Sequence, residues 1–370
     1  MYDVSIIGGG LAGLSLAIIL SKKGFKVVVF EKENYPFQKV CGEFISNESK
    51  KFLEKLGVDF LKLNLPNINR LKLSSPDGNY IEHNLDLGGF GISRYFLDNH
   101  LKEIAIKSGV DLKQNCKVEN IEFKNVNHLL FTSKGIFESK ICCGAYGKKS
   151  NIDVKLKRSF LSGKRLNNYL GVKYHVKINN PDNLISLHNF EGGYCGLSNI
   201  EDNKSCLCYL TTAQKLKKSG SIENLEKEVL SKNKFLQNIF ENCEKLTPPI
   251  TISQISFSKK NIVENHILFI GDAAGMITPL CGNGMSMALR SSVLVSSLTE
   301  MFLENKISRS EMELSYLKSW KNEFSKRLAT GRIVQQFFGK SWQTNSFIKI
   351  MKMFPFAAKL IIKRTHGKEF

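Results

Sequence analysis

The first thirty residues alternate between short apolar runs and a helical pattern. Residues 3–7 form a mostly apolar run that is typical of a buried strand in a parallel sheet. Apolar side chains then recur at helical spacing over residues 11–20, and Gly24 indicates where that helix ends. Residues 26–30 form a second apolar run. This order of strand, helix and strand predicts an α/β domain built on a parallel sheet.

The pattern changes beyond residue 169, where strand-like runs follow one another with only turns between them. Clusters of turn-forming residues at 179–182 and 201–203 predict tight connections. We therefore expect a separate, antiparallel sheet in the middle of the chain. Strands are predicted at residues 110–112, 118–123, 136–143, 169–178, 184–190, 194–200, 205–211, 250–257 and 267–270, and helices at residues 222–240 and from residue 282 onward.

A glycine-rich segment joins the first strand to the first helix. Gly8 permits a tight turn, Gly10 lets a pyrophosphate approach the backbone, and Gly13 lets the helix pack closely on the strand. The free N–H groups of the helix terminus favour a phosphate there. Glu31 ends the second strand, where an acid binds ribose hydroxyls and favours FAD or NAD over NADP. The residues predicted to contact this nucleotide are Gly8, Gly10, Leu11, Ala12, Gly13, Glu31 and Lys32.

A second glycine-rich segment follows the strand predicted at residues 267–270. It begins with Gly271 and Asp272, and Pro279, Gly282 and Gly284 come shortly after. Either segment alone is only a modest indication of nucleotide binding. In this order, and more than two hundred residues apart, they indicate one flavin nucleotide held at both ends.

Composition and charge narrow the function classes. The net charge of +19 favours anionic substrates or an anionic membrane surface, but aromatic residues are not interleaved with the basic ones as in a nucleic-acid stacking platform. No nucleic-acid partner is therefore expected. The nine cysteines show no metal-ligand spacing, and most of them are expected to be reduced core thiols. Without a leader or a bilayer-spanning apolar run, the chain is predicted to be cytoplasmic.

With both glycine segments, the chain resembles the FAD-dependent oxidoreductases of the para-hydroxybenzoate hydroxylase fold, especially the branch that contains geranylgeranyl reductases. The resemblance implies a Rossmann-like FAD-binding domain with an inserted antiparallel substrate-binding sheet and C-terminal helices. The FAD-binding domain would comprise residues 1–67, 91–155 and 256–330. The substrate-binding sheet would comprise residues 68–90 and 156–255, and basic amphipathic helices residues 331–370.

The resemblance also implies roles for single residues. Asp272 would accept a hydrogen bond from a ribityl hydroxyl, Pro279 would shape the turn beside the flavin ring, and Arg94 would contact the phosphates. The helix that begins near Gly282 would direct its N–H groups at the flavin N1/C2 edge. The residues implicated in this way are Arg94, Gly271, Asp272, Pro279, Gly282, Asn283, Gly284 and Met285.

Two features depart from or extend the family pattern. The middle motif of the family is G-A-D-G-x-x-S with a nearby arginine, whereas here Tyr146 follows Gly144-Ala145, and Asp153 stands at the arginine position. NAD(P)H is the expected electron donor, but this change leaves its docking open. The stretch 39–42 resembles the lysine-x-cysteine-glycine run of prenyl reductases. Cys41 is therefore a candidate residue near the flavin, with a buried structural thiol as the alternative reading.

The first functional hypothesis is a monooxygenase that hydroxylates an aromatic or lipophilic small molecule through a flavin C4a-hydroperoxide. A reductase of prenyl or other lipid double bonds is the alternative, which the Cys41 stretch favours. A flavin-binding protein without turnover is compatible with the altered middle motif. A flavin-dependent halogenase is least favoured because the W-x-W-x-I-P motif is absent. A histidine could deprotonate a phenol, but His175 and His188 are more simply explained as structural residues.

Residues 347–364 mix apolar and basic side chains, and Pro355 is predicted to divide them into two helices. The pattern suits a helix pair at a membrane surface, and it equally suits helices packed over the substrate domain with their lysines outside. Peripheral contact with a membrane is thus one expectation, and it would fit a lipophilic substrate. The sequence does not indicate an oligomeric state.

Overall fold

The computed structural model describes residues 1–148, 150–162, 169–278 and 282–370. The strands are β1 (Tyr2–Ile7), β2 (Val27–Phe30), β3 (Phe44–Ser46), β4 (Asn67–Ser74), β5 (Tyr80–Gly91), β6 (Asp111–Lys113), β7 (Val118–Lys124), β8 (Asn127–Thr132), β9 (Gly135–Gly144), β10 (Tyr169–Lys177), β11 (Leu184–Phe190), β12 (Gly193–Asn199), β13 (Ser205–Thr212), β14 (Glu244–Lys245), β15 (Ile250–Ile255), β16 (Val263–Glu264) and β17 (Ile267–Phe269). The helices are α1 (Leu11–Lys22), α2 (Lys50–Leu56), α3 (Arg94–Lys107), α4 (Asn151–Lys155), α5 (Ala213–Ser219), α6 (Ile222–Glu228), α7 (Lys234–Asn242), α8 (Gly284–Leu303), α9 (Arg309–Gln336), α10 (Ser341–Met353) and α11 (Pro355–Thr365).

The first sheet has the order β16-β17-β9-β1-β2-β6 along its main path. Its central neighbours β17, β9, β1, β2 and β6 run parallel, which confirms the Rossmann-like prediction. All four residues of β2 are buried, as expected for a strand covered on both faces. A meander of β7 and β8 joins this sheet through β9. β8 was not predicted from the sequence.

The second sheet has the order β14-β10-β13-β12-β11-β4-β5-β3, and β15 pairs with β10. The neighbours from β10 to β13 are antiparallel, as the hairpin-like pattern predicts. One pair departs from that expectation, because β4 and β11 run parallel. β4 lies far from β11 along the chain, so the pair needs no hairpin and either direction is available to it.

The single helix predicted over residues 222–240 is wrong, since the chain forms α6, a short 3-10 turn and α7 there. Asn233 causes the break. Its buried side chain caps α7 by accepting from the N–H of Phe235, and it donates to Ser74 Oγ and to the carbonyls of Ser75 and Asn189. The hydrogen bonds between this buried amide and its four partners stabilise the turn by more than the local preference for a continuous helix destabilises it.

The long helices bring the two sheets together. α8 packs along α1 and α9, while α10 and α11 contribute Phe347, Ile348, Met351 and Ala358 to an apolar cluster with Leu73 of β4. Pro355 begins α11, as predicted, because proline suits the first turn of a helix. Over the described ranges, no helix combines the length and apolar character that crossing a bilayer requires.

Candidate active site

The two glycine segments meet at the carboxyl ends of β1 and β17. A methyl group placed on Gly271 would lie 3.2 Å from Cβ of Ala12, so the second segment touches the first turn of α1. The carboxyl ends of the strands in a parallel sheet are where α/β sheets bind ligands, and β1 and β17 lie on either side of β9. The structure therefore brings together two segments that the sequence places far apart.

The first segment is shaped by close backbone packing. Gly8 has φ +104°, a left-handed conformation that favours glycine. A methyl group on Gly13 would overlap the carbonyl oxygen of Gly8, so α1 lies closer to β1 than a side chain would permit. The first helical bond runs from the N–H of Leu14 to Gly10, which leaves the N–H groups of Leu11, Ala12 and Gly13 without partners inside the helix.

Glu31 is buried at the end of β2, facing the glycine turn. Its Oε2 accepts from the N–H of Gly9 at 2.9 Å, and its Oε1 accepts from the N–H of Glu33 at 3.1 Å. The carboxylate is thereby held in a fixed orientation beside the first segment. Lys32 follows it on the surface, where its ammonium group lies 3.4 Å from a carboxylate oxygen of Glu33.

Two cations share one carboxylate next to Gly10. Arg94 donates to both oxygens of Asp98 at 2.8 and 2.7 Å, and Lys39 Nζ reaches Oδ2 of the same residue at 2.8 Å. Burial raises the pKa of Asp98, but the charges of Arg94 and Lys39 outweigh it and hold that pKa below its usual range. The cluster keeps a surplus positive charge, which suits an anionic group such as a pyrophosphate.

The second segment is tied to its surroundings at several points. Gly271 donates its N–H to Ser291 Oγ at 2.9 Å, and Lys260 Nζ donates to the carbonyl of Asp272 at 2.9 Å. Burial lowers the pKa of Lys260 to about 8. Pro279, which is predicted to shape the turn beside the flavin ring, lies outside the described residues.

The start of α8 offers unused polar groups. Gly284 is the first residue of the helix and Met285 is buried behind it. Asn283 precedes them; it donates from Nδ2 to the carbonyl of Thr365 at 2.7 Å, while its buried Oδ1 has no hydrogen-bond partner among the described residues. Gly282, just before it, has φ +62°. A buried acceptor and a free helix terminus side by side are typical of a ligand site.

The altered middle motif forms its own buried network. Tyr146 donates its hydroxyl to Oδ1 of Asp153 at 2.6 Å, and Arg158 reaches the same oxygen at 3.0 Å. Arg158 also donates to the carbonyl of Ala273 at 3.0 Å and lies over the ring of Phe269. An arginine thus connects this motif to the second glycine segment from a position that the sequence analysis did not single out.

A second buried ion cluster, also not predicted, lies where the two sheets adjoin. Glu43 receives Lys173 Nζ at 2.6 Å on Oε1 and lies 2.7 Å from His175 Nε2 through Oε2. The N–H of Arg94 donates to Oε1 of Glu43 as well, at 2.9 Å. The signal that could have found it is Lys173, a charged residue in the middle of the apolar run of β10.

The structure places Cys41, His175 and His188, the individual residues considered in the sequence analysis, in different surroundings. Cys41 is partly buried beside this ion cluster, and its carbonyl accepts from Cys206 Sγ at 3.2 Å. His188 has a structural role, because its Nδ1 lies 2.8 Å from Ser74 Oγ, and burial lowers its pKa to about 3. His175 is engaged by Glu43, which also agrees with a structural role.

An apolar cavity of about 110 Å³ lies between the second sheet and the C-terminal helices. Gly282, which precedes α8, forms part of its wall, so the cavity reaches the second glycine segment. Its other lining residues come from β3, β4, β5 and β11 on one side and from α9, α10, α11 and the residues that follow α9 and α11 on the other: Phe44, Leu71, Leu73, Ile81, His83, Leu85, Ile185, Leu187, Val334, Phe338, Phe347, Met351, Ala358, Ile361, Ile362, Thr365 and His366.

Comparison with known proteins agrees with this geometry. Residues 1–89 match the model of an FAD-binding domain family. The chain is 24% identical over 377 residues to conditioned medium factor receptor 1 of Dictyostelium discoideum, covering 91% of this chain and 71% of the relative. It is 26% identical to kynurenine 3-monooxygenase of the same organism, covering 77% and 67% of the two chains.

Other similar proteins differ in the reaction that their names give. Digeranylgeranylglycerophospholipid reductase 1 of Methanococcoides burtonii is 23% identical, with 91% of this chain and 84% of the relative covered. The solved structure of the flavin-dependent brominase Bmp2 superimposes with a TM-score of 0.80 at 18% identity, covering 98% of this chain and 93% of that chain. With a match to an FAD-binding domain over residues 1–89, the chain is similar to FAD-dependent oxidoreductases, among which the names of these proteins give a monooxygenase, a lipid reductase and a brominase.

Proposed function

We propose that the chain is a monooxygenase that uses FAD to hydroxylate an aromatic or lipophilic small molecule. The observation that carries the proposal is the apolar cavity that reaches from the second sheet to Gly282. A mostly apolar cavity with few polar groups binds a mostly apolar ligand. The kynurenine 3-monooxygenase relative supports hydroxylation among the reactions of these similar proteins.

The residues present fit FAD. The N–H groups at the start of α1, with Arg94 and Lys39 beside them, would hold the pyrophosphate. Glu31 would bind the adenosine ribose, and Asp272 the ribityl chain. Bound FAD would supply the electrons and the activation of oxygen. The N–H groups at the start of α8 and Oδ1 of Asn283 would bind the polar edge of the ring.

The protein's own part in the reaction is to bind, orient and exclude water. α10 and α11 cover the cavity with apolar side chains such as Phe347 and Met351. A substrate enclosed there would be shielded from solvent, which limits side reactions.

We propose NAD(P)H as the electron donor. A reductase acting on lipid double bonds is the second candidate, favoured by Cys41, whose stretch lies beside the Arg94 cluster and resembles that of prenyl reductases.

Oxygen dependence is expected to decide between these two reactions. The FAD-loaded protein should oxidise NAD(P)H in the presence of an alkylphenol and insert one atom of isotopically labelled oxygen into the product. The second oxygen atom should leave as water, since NAD(P)H supplies the two electrons. The measurement is product mass, with and without oxygen. Product that forms equally well without oxygen would contradict the monooxygenase, and a folded preparation without affinity for FAD would contradict the whole proposal.

We also propose that α10 and α11 contact an anionic membrane surface. Several large apolar side chains on their outer faces are exposed, including Trp342 at 69% and Phe356 at 70%. Lys349, Lys352 and Lys363 lie among them and complement anionic headgroups. Exposed apolar groups flanked by lysines are typical of helices that lie in a membrane interface.

Introducing charge on this face should weaken membrane binding. The double variant Trp342→Glu/Phe356→Glu is expected to lower binding to vesicles of mixed zwitterionic and anionic lipid at least tenfold, because burying one such side chain contributes about 1.5–3 kcal/mol. Co-sedimentation measures the change. Leu61→Glu is the control, since Leu61 is 100% exposed on a different element and its loss should leave binding unchanged. Equal binding of all three proteins would refute the contact.

A further inference from the structure

Few polar side chains line the apolar cavity. Among its described lining residues, only His83, Thr365 and His366 carry a side-chain nitrogen or oxygen. Thr365 directs its hydroxyl to the carbonyl of Ile362 at 2.9 Å, so its proton is committed to the protein. Any recognition of a polar group on the ligand therefore depends mainly on the two histidines.

The hydrogen bonds of His366 fix which ring nitrogen carries the proton. Nδ1 lies 2.9 Å from the carbonyl oxygen of Ile362. A carbonyl oxygen only accepts, so Nδ1 must donate, and in the neutral ring Nε2 is then an acceptor. Nε2 has no hydrogen-bond partner within the part of the chain that the structure describes. Burial lowers the pKa of His366, which keeps the ring neutral near pH 7.

The segment that carries His366 is held in place from both sides. The carbonyl of Thr365 accepts from Asn283 Nδ2 at 2.7 Å, directly before α8. The N–H of Gly367 donates to Glu48, whose other oxygen lies 3.4 Å from Arg327. His366 is therefore fixed against the segment proposed to bind the flavin ring, before any ligand arrives. A preorganised acceptor loses little conformational entropy on binding.

We infer that Nε2 of His366 accepts a hydrogen bond from a hydroxyl group on an otherwise apolar substrate. The inference rests on the proposed function and specifies its substrate class as a phenol with an apolar substituent. A hydrogen bond from the phenol would increase electron density on the ring, which favours hydroxylation. Complete proton transfer would place an imidazolium beside Arg327 in a buried site, so His366 acts by positioning and polarising the hydroxyl.

Charged and titratable groups face His366 from several elements. The charge of Arg327 acts on it from α9, and Glu48, in the turn before α2, accepts from the N–H of the next residue, Gly367. His83 of β5 lines the same cavity, and Lys363 and Arg364 precede His366 on α11. The positive charge of Arg327 further opposes protonation of His366. The preference for a hydroxyl should therefore persist at neutral pH and fall only below the usual pKa of 6.5, where protonation converts Nε2 into a donor.

The test compares 4-hexylphenol with its methyl ether, which has the same apolar body but no hydroxyl proton. Calorimetric titration of the FAD-loaded protein at pH 7.5 should show a phenol preference of about three- to tenfold, the size expected for one hydrogen bond. His366→Asn keeps a donor toward Ile362 but removes the acceptor at Nε2, and it should abolish the preference while ether affinity stays the same. His366→Gln, whose amide oxygen can approach the position of Nε2, should restore part of it.

A preference that survives in His366→Asn, equal affinities in the wild type, or no binding of either compound would overturn the inference. Thermal denaturation checks that the variants keep the fold. Flavin content and oxygen-dependent product are measured on the same preparations. A His366-dependent preference without product would sink the proposed monooxygenation alone, whereas normal turnover with an unchanged preference would sink only the role of His366.

Discussion

Replacing Glu43 by alanine is expected to lower the free energy of unfolding by about 3–5 kcal/mol, as removal of one partner from a buried ion pair does. Glu43 and Lys173 are both fully buried, and their side chains lie 2.6 Å apart. Without the carboxylate, Lys173 would retain a buried charge, and His175 and the N–H of Arg94 would lose their acceptor. Urea denaturation at pH 7 measures the change.

Two controls separate the charge effect from loss of packing. Glu191→Ala removes an exposed pair with Lys215 and should change stability by no more than about 1 kcal/mol. The single variant Glu43→Gln removes the charge but keeps the side-chain volume, and it should also be less stable than the wild type. The double variant Glu43→Gln/Lys173→Met removes both charges together and should recover most of that loss. A single variant as stable as the wild type would show that the cluster does not hold the fold together.

The pH dependence has a definite sign. Burial raises the pKa of Glu43, but the hydrogen bond from His175 and the charge of Lys173 outweigh it, so the folded pKa lies below the usual 4.5. A carboxyl with a lowered folded pKa contributes stability above its unfolded pKa, and this stability is lost as the pH falls through the folded value. The stability difference between wild type and Glu43→Gln should therefore shrink as the pH falls below 4.5.

Gly13→Ala is expected to weaken FAD binding by about ten- to a hundredfold. The added methyl group would overlap the carbonyl oxygen of Gly8 and press against Ala145. Relieving such overpacking costs about 1–3 kcal/mol and shifts the start of α1, whose N–H groups are proposed to bind the pyrophosphate. Flavin absorbance of the refolded and dialysed protein measures the loss.

Gly57→Ala serves as the matched comparison. Gly57 ends α2 with φ +117°, so alanine there is strained, but among the described residues its methyl group would meet only Ile104, at an ordinary distance. This variant should lose stability and keep its flavin. If both variants retained flavin equally, the close packing of α1 on β1 would not govern cofactor binding.

The strongly patterned elements could be predicted from sequence. β1, α1 and β2 lie within two residues of their expected bounds, because a continuous apolar run and a helical repeat each leave little alternative. The strands from β10 to β13 were predicted equally well from alternating runs and turn clusters. The two glycine segments also predicted where ligand-binding backbone would be exposed, and the structure brings them into contact at Gly271 and Ala12.

The remaining features depend on partners distant in the chain. Glu43 lies 130 residues from Lys173, and neither shows on its own what it pairs with. Arg158 belongs to the altered middle motif only because Asp153 and Tyr146 turn toward it in space. The cavity is lined by elements from β3 to the end of α11, so no local pattern describes it. Long-range packing, rather than local propensity, determines these features.

The α10–α11 pair separates the cavity from the exterior by the thickness of a single helix. Met351 and Ile361 line the cavity, whereas Met353 and Phe356 are exposed on the same two helices. Under the proposed membrane contact, a lipophilic molecule dissolved in the bilayer would cross one layer of side chains and never enter water. Its capture would follow its mole fraction in the lipid, so the apparent KM would change when the lipid is diluted at constant total substrate.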